Sequence, residues 1–251
     1  TAPPRALMSP SVGSDHTVVT PAESAAYLSG PLNITGKVMP ASACNCDMGG
    51  LEAPADVRDF VRQGWIEGVP YELASRYGEA DARKLLDWLV NEPEKHEKYL
   101  AQVVATLGYI GSEIATQALI DFVRSPRAGR AVFNAKNIAL IRLGDLANRS
   151  ASQAAVDFLA QVAGDIGLAR SLAAPQSAFE QAEAARTGVT ALSAETLAAE
   201  LAVSATFGLA LGGSEPARRT VGGLKADPNA FASVNQAAGG AAQIAETVVR
   251  K

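Results

Sequence analysis

The most chemically reactive side chains of the sequence are Cys44 and Cys46, the only two cysteines. A disulfide across one intervening residue closes a small, strained ring, and such bonds are easily reduced. The pair could therefore act as a redox couple, form a local disulfide or remain as inert thiols. A zinc site would need two more ligands, and His16 and His96 are the only histidines. Because this spacing matches no known zinc knuckle, we favour a local disulfide or inert thiols.

Three aspartates form a second candidate site, because they occur at matching positions. Asp87, Asp121 and Asp157 are separated by 34 and 36 residues, and Gln117 and Gln153 precede two of them by four residues. On neighbouring packed helices, equivalent residues would lie roughly 10 Å apart. Such an acidic stripe could bind a basic peptide or a cation. Solvated positions beside buried aromatic residues would produce the same pattern.

The sequence contains no familiar catalytic motif. It has no Gly-x-Ser-x-Gly elbow, no Gly-x-x-x-x-Gly-Lys-Ser/Thr phosphate loop and no Gly-x-Gly-x-x-Gly after a strand. The formal net charge of −4 gives no electrostatic basis for binding nucleic acid. The sequence has no run of about 18 apolar residues without charges, so we expect no membrane span. We therefore expect no catalytic residue, no cofactor and no bound metal.

Composition also bears on location. The chain is only 19% charged and begins at Thr1 rather than Met, as a processed or truncated product would. Low charge and many Ser, Thr and Ala residues favour a periplasmic or secreted location over a cytoplasmic one.

Helical periodicity, which would position the aspartates, begins near residue 53. Residues 1–52 contain six prolines and predict an extended, irregular N-terminal arm. Residues 53–251 predict an α-helical domain with an irregular insertion at about 164–194, which contains one helix from about Gln176 to Arg186. Predicted helices include one opened by Pro93 and one capped by Ser150. Alternating apolar residues are never sustained, so we expect no strands.

Two segments repeat each other at a shift of 36 residues. Residues 114–123 (IATQALIDFV) align with residues 150–159 (SASQAAVDFL). The same shift places Gly108 on Gly144. A fixed period of this length predicts a repeat architecture. The two glycines would either adopt a positive φ near a helix end or allow two helices to approach closely.

The segments Leu107–Ser112 (LGYIGS) and Leu143–Asn148 (LGDLAN) are similar to the Leu-Gly-x-Ile-Gly-Asp/Asn turn of HEAT and armadillo repeats. The chain resembles this family of α-solenoids over about residues 65–225. The resemblance implies an all-α, right-handed superhelix of stacked antiparallel helix pairs. A non-repeating helical bundle is the alternative.

These patterns predict a non-catalytic protein-interaction scaffold with another protein or peptide as its partner. One alternative is a thiol/redox or metal-dependent factor using Cys44 and Cys46, and another is a HEAT-like lyase-type enzyme. A third is a structural protein that self-associates as a homo-oligomer by exchanging the arm. The predicted binding face of the scaffold consists of Asp87, Gln117, Asp121, Gln153 and Asp157.

Overall fold

A computed structural model describes residues 52–63, 65 and 68–248, and these residues form an all-α fold. They contain no strand, which confirms the predicted fold class at this level. The arm predicted for residues 1–52 lies outside the described residues, apart from Glu52. The helices are α1 (Val57–Arg62), α2 (Tyr71–Ala74), α3 (Glu79–Val90), α4 (Leu100–Ile110), α5 (Ile114–Arg124), α6 (Arg130–Ser150), α7 (Gln153–Gly164), α8 (Ile166–Thr187), α9 (Ala194–Leu211), α10 (Glu215–Leu224) and α11 (Ala232–Thr247), with a short 3-10 helix (Glu97–Tyr99) before α4.

Two predicted helix starts are wrong, and local contacts explain both. Pro93 does not open a helix, because residues 91–96 form turns that stack His96 on Trp88 with ring centroids 3.8 Å apart. Ser150 does not cap α7, since it is the last residue of α6. The chain turns at Ala151, whose φ is 54°, and the hydroxyl of Ser152 accepts a hydrogen bond from the Ala155 N–H at 3.4 Å.

The segment predicted as an irregular insertion is mostly one long helix. α8 starts at Ile166, well before the expected start at Gln176, because Asp165 caps it by accepting from the Leu168 N–H at 3.1 Å. Pro175 lies inside this helix and does not end it. A proline removes one backbone donor, and the buried side chains on either side of it hold the helix in place.

The helices α4, α6, α9 and α11 pack side by side in that order. The contact between α6 and α9 is the most extensive. Asn137 accepts a hydrogen bond from the Ser204 hydroxyl at 2.8 Å, and Asn148 donates to the Leu211 carbonyl at 3.1 Å. Because residue numbers increase together along this contact, α6 and α9 run in the same direction.

A second set of helices packs beside the first. α3 contacts α5, α5 contacts α7, and α7 contacts α10. Each of α5 and α7 also packs against α6, so the core lies between the two sets. Leu119 of α5, Leu143 of α6 and Leu159 of α7 are completely buried there.

The glycines that the sequence analysis singled out lie inside helices. Gly108 and Gly144 are not among the residues with positive φ, so of their two predicted roles the structure supports close helix approach. A methyl group on Gly144 would overlap the backbone carbonyl of Gly208 in α9. The turn after α4 instead uses Gly111, whose φ is 72°.

Three side chains of α6 cap the carboxyl ends of neighbouring helices. Such caps satisfy carbonyl groups that have no partner within their own helix. The donor and acceptor pairs are Lys136 Nζ with the Ser125 carbonyl (2.6 Å), Arg149 Nη1 with the Tyr109 carbonyl (2.9 Å) and Asn148 Nδ2 with the Leu211 carbonyl (3.1 Å). α6 is therefore linked to α4, α5 and α9 by hydrogen bonds as well as by apolar contacts.

One described helix, α9, is long and apolar enough to cross a membrane by length and composition alone. One such helix is weak evidence for a membrane span, because the core helix of a soluble protein can have the same length and composition. α9 contacts α6, α7, α8 and α11, and residues such as Leu201 and Leu209 are completely buried.

Candidate interaction surface

Two glutamine–aspartate pairs occupy matching exposed positions on α5 and α7. Gln117 Nε2 donates to Asp121 Oδ1 at 2.8 Å, and Gln153 Nε2 donates to Asp157 Oδ1 at 2.7 Å. Each pair spans one helical turn and holds its carboxylate in a defined orientation. Neither aspartate forms an ion pair with any residue that the structure describes.

The aromatic residues next to these aspartates are both buried. Phe122 is 4% exposed and Phe158 is 3% exposed, so both are core residues. Arg124 of α5 lies over the Phe158 ring at 4.9 Å from its centroid. Cation–π contacts at exposed sites contribute about 0.5–1 kcal/mol. This contact joins α5 to α7.

Asp87, the third predicted binding aspartate, has a different environment. α3 packs against α5, so the three aspartates lie on three successive neighbouring helices. Asp87 Oδ1 accepts from Asn91 Nδ2 at 2.7 Å, which puts the amide after the aspartate rather than before it. The hydrogen bond from Arg58 to Asp56 raises the pKa of Arg58, and the negative charge of Asp87 adds a small contribution. Asp87 therefore has a nearby cation.

Of the residues predicted as a thiol pair or metal ligands, the structure describes only His96. Cys44, Cys46 and His16 lie outside the described residues, so the redox alternative stays a prediction. His96 is buried against Trp88, and its Nε2 lies 3.1 Å from Glu92 Oε2. Across residues 52–63, 65 and 68–248, no group of three His, Cys, Asp or Glu side chains could hold a metal ion.

The structure contains an open cleft that the sequence analysis did not predict. It has a volume of about 630 Å³ and lies between the second half of α8, the start of α6 and the 3-10 helix. Its lining combines apolar and charged side chains, chiefly Phe179, Ala131, Val189, Glu97, Arg130 and Glu183.

A buried polar cluster holds α8 beside the start of α6. Gln176 Oε1 accepts from the Gly129 N–H at 2.8 Å, and Gln176 Nε2 donates to Glu180 Oε1 at 3.0 Å. All three residues are buried. At the edge of the cleft, the hydrogen bond from Arg186 lowers the pKa of Glu183, and the charge of Arg130 adds to the effect. No sequence motif marks this cluster, because it depends on where α8 crosses the other helices.

We expect Gln176→Leu to lower the free energy of unfolding by at least about 2 kcal/mol. The substitution leaves the Gly129 N–H and the Glu180 carboxylate buried without their hydrogen-bond partner, and each such loss costs about 1–3 kcal/mol. Urea denaturation followed by circular dichroism measures the change. Gln181→Leu is the matched control, since Gln181 is exposed five residues further along α8 and makes only a 3.4 Å hydrogen bond to Ser177. Equal effects of the two substitutions would contradict the role assigned to Gln176.

Comparison of the chain with protein-family models, with curated proteins and with solved structures finds no match in any of the three.

Proposed function

We propose that the chain is a non-catalytic protein-interaction scaffold of stacked helix pairs that binds a basic segment of another protein. The proposal depends chiefly on the matched Gln117–Asp121 and Gln153–Asp157 pairs, which present oriented carboxylates on the exposed sides of two neighbouring helices. A carboxylate that is already oriented loses little side-chain entropy when a cation binds to it. The binding surface is the exposed side of α3, α5 and α7, which we call the aspartate face.

The packing of the helices supports a solenoid of the HEAT type as the scaffold. α4, α6 and α9 lie side by side, and α5 and α7, two of the three helices between them in sequence, also contact each other. Stacked helix pairs have this contact pattern, because each pair touches mainly its neighbours. The right-handed superhelix is part of the proposal.

The spacing of the aspartate face suggests which basic segment fits it. Neighbouring packed helices lie about 8–10 Å apart. A polyproline II peptide returns to the same side every three residues and rises about 3.1 Å per residue, or roughly 9 Å per turn. A peptide in this conformation with Lys or Arg at every third position would present one cation to each helix. We therefore propose a ligand with basic residues at every third position.

The test uses a labelled Lys-Pro-Pro repeat peptide and a peptide of the same composition with clustered lysines. We expect the full chain to bind the periodic peptide more tightly in fluorescence anisotropy. Asp121→Asn combined with Asp157→Asn should weaken this binding at least about tenfold, which corresponds to about 1.4 kcal/mol. Asparagine retains an oxygen that can accept the glutamine hydrogen bond, so the change removes charge and leaves the pairing possible.

The matched control combines Glu72→Gln with Glu246→Gln. These exposed carboxylates lie on α2 and α11, which are not part of the aspartate face, and their removal changes the net charge by the same amount. We expect this control to bind the periodic peptide as the unmodified chain does. Equal weakening in both double variants would mean that binding follows net charge, and the proposed face would then be wrong.

A further inference from the structure

Asp121 and Arg124 do not form an ion pair, although their spacing on α5 allows one. Residues three apart on a helix are neighbours, with Cβ atoms about 5–6 Å apart. Both side chains are exposed, so neither is hidden from the other by the core. Asp121 accepts from Gln117 instead, and Arg124 lies over the Phe158 ring of α7. Arg124 therefore makes its contact outside its own helix.

Elsewhere in the described part of the chain, an acidic residue three positions before a basic one usually forms an ion pair with it. These pairs have N–O distances of 2.8–3.1 Å and are Asp59–Arg62, Asp81–Lys84, Glu92–Lys95 and Glu183–Arg186. Glu215 and Arg218 are a second exception, and there Arg218 donates to the Ala245 and Val248 carbonyls at the end of α11. In both exceptions the arginine is bound to another helix, so a competing contact accounts for the missing ion pair.

The competing contact of Arg124 comes from a fixed position. Phe158 is a buried core residue, so its ring stays in place whether or not the arginine lies over it. A cation–π contact at an exposed site is at least as favourable as a single exposed ion pair on a helix. The guanidinium is therefore better placed over the ring than on the carboxylate of its own helix.

The other aspartates of the aspartate face have no such neighbour. Ala160 occupies the position three residues after Asp157, and Val90 occupies the position three residues after Asp87. Arg124 is thus the cation that could neutralise one of the two oriented carboxylates and leave the other unchanged.

We propose that Phe158 is a positioning residue of the aspartate face. By holding Arg124 over its ring, Phe158 keeps this internal cation away from Asp121 and leaves the carboxylate available to the basic ligand. The inference rests on the proposed function, since it explains how Asp121 stays available although a cation lies one turn away on the same helix. Arg124 is in this role an internal competitor of the ligand.

Two substitutions of Arg124 test the inference without changing the core. Arg124→Lys should weaken binding of the Lys-Pro-Pro repeat peptide about two- to threefold in fluorescence anisotropy. Lysine stacks less well on an aromatic ring and would pair with Asp121, as Lys84 pairs with Asp81. This substitution keeps the net charge, so its effect cannot come from overall charge. Arg124→Gln leaves no competitor and should bind at least as tightly as the unmodified chain.

Substitution of the ring is the second test. Phe158→Leu should weaken peptide binding by a similar factor, and adding Arg124→Gln should restore it. Phe122→Leu is the matched control, because Phe122 is equally buried at the equivalent position of α5 and no described cation lies over its ring. This control should bind as the unmodified chain does. Circular dichroism establishes that the variants are folded.

Three results would overturn the inference. Arg124→Lys could bind the peptide as tightly as the unmodified chain. The two phenylalanine substitutions could weaken binding equally, which would make the role of the ring one of packing alone. Arg124→Gln could fail to restore binding to Phe158→Leu, which would mean that the freed arginine is not the cause of the loss.

NMR spectroscopy separates this inference from the proposed function, because it needs no peptide. The ring current of Phe158 should shift the Arg124 Nε–H signal upfield in the unmodified chain. In Phe158→Leu the signal should move downfield as the guanidinium pairs with Asp121, and adding Asp121→Asn should reverse part of that change. A signal that does not respond to Asp121→Asn would overturn the inference even if the peptide binds. A peptide that fails to bind the unmodified chain would instead overturn the proposed function.

Discussion

Gly144→Ala is expected to lower the free energy of unfolding by about 3 kcal/mol, at the upper end of what overpacking usually costs. The added methyl group would overlap the Gly208 carbonyl where α6 and α9 cross. A backbone carbonyl cannot move aside as a side-chain end can, so the two helices must separate. Separation would also strain the hydrogen bonds that Asn137 and Asn148 make to α9 on either side of the crossing. Urea denaturation followed by circular dichroism measures the loss.

The control is Gly240→Ala in α11, where an added methyl group meets nothing within 4 Å. Alanine favours a helix by about 1 kcal/mol relative to glycine, so this change should stabilise the protein slightly. If Gly144→Ala lowers the free energy of unfolding and Gly240→Ala raises it, the loss at Gly144 comes from the helix crossing. A neutral or stabilising Gly144→Ala would contradict the close approach of α6 and α9.

Amphipathic helices could be predicted from the sequence because the spacing of their apolar residues reflects which side of the helix is buried. In α5, Leu119, Phe122 and Val123 recur at helical spacing, and all three are buried. Gln117 and Asp121 lie on the opposite side of the same helix and are exposed. The predicted binding residues of α5 and α7 could be placed for the same reason.

The helix boundaries that the sequence did not predict depend on contacts outside the local pattern, or on which of two nearby residues caps the helix. Pro93 is a suitable first residue of a helix, yet the stacking of His96 on Trp88 requires a turn there. α8 continues through Pro175 because its flanks are buried: Leu172 and Gln176 both lie in the interior. No local pattern distinguishes a proline that ends a helix from one that a packed helix tolerates.

The cleft could not be predicted for a related reason. Phe179 and Glu183 lie on α8, whereas Glu97 and Arg130 come from segments far away in the sequence. They come together where α8, which packs on α9, also reaches the start of α6, and the hydrogen bond between Gln176 and Gly129 helps to fix this position. Long helices outside a repeat have no equivalent elsewhere in the chain from which their position could be inferred.

Lys136 shows how a charged residue can occupy a core position. It lies on the apolar side of α6 between Val132 and Leu140, each one turn away, and is only 2% exposed. Its Nζ donates to the carbonyl of Ser125, the C-cap residue that follows α5, at 2.6 Å. A cation at a helix carboxyl end is favourable, but the burial of this charge dominates. Burial lowers the pKa of Lys136 to about 8, and the charge of Arg127 contributes to the lowering.

This pKa predicts that the protein becomes more stable as the pH rises from 7 to 9.5. In the unfolded chain a lysine keeps its proton up to about pH 10.4, whereas folded Lys136 releases it above about 8. Between these values the unfolded state binds more protons, so raising the pH favours the folded state. We expect a gain of about 2 kcal/mol over this range. Chemical denaturation at several pH values measures it.

Lys136→Met separates this gain from every other titration. Methionine has a similar length and no charge, so the variant should lose the rise in stability between pH 7 and 9.5. Burial raises the pKa of Tyr77 to about 12, which opposes the gain only above about pH 10, where an unfolded tyrosine ionises. Lys225→Met, an exposed position in the turn after α10, should keep the full rise. The stability of Lys136→Met and of the unmodified chain could instead change in parallel between pH 7 and 9.5. Lys136 would then stay charged in both the folded and the unfolded states, and its pKa would not be lowered by burial.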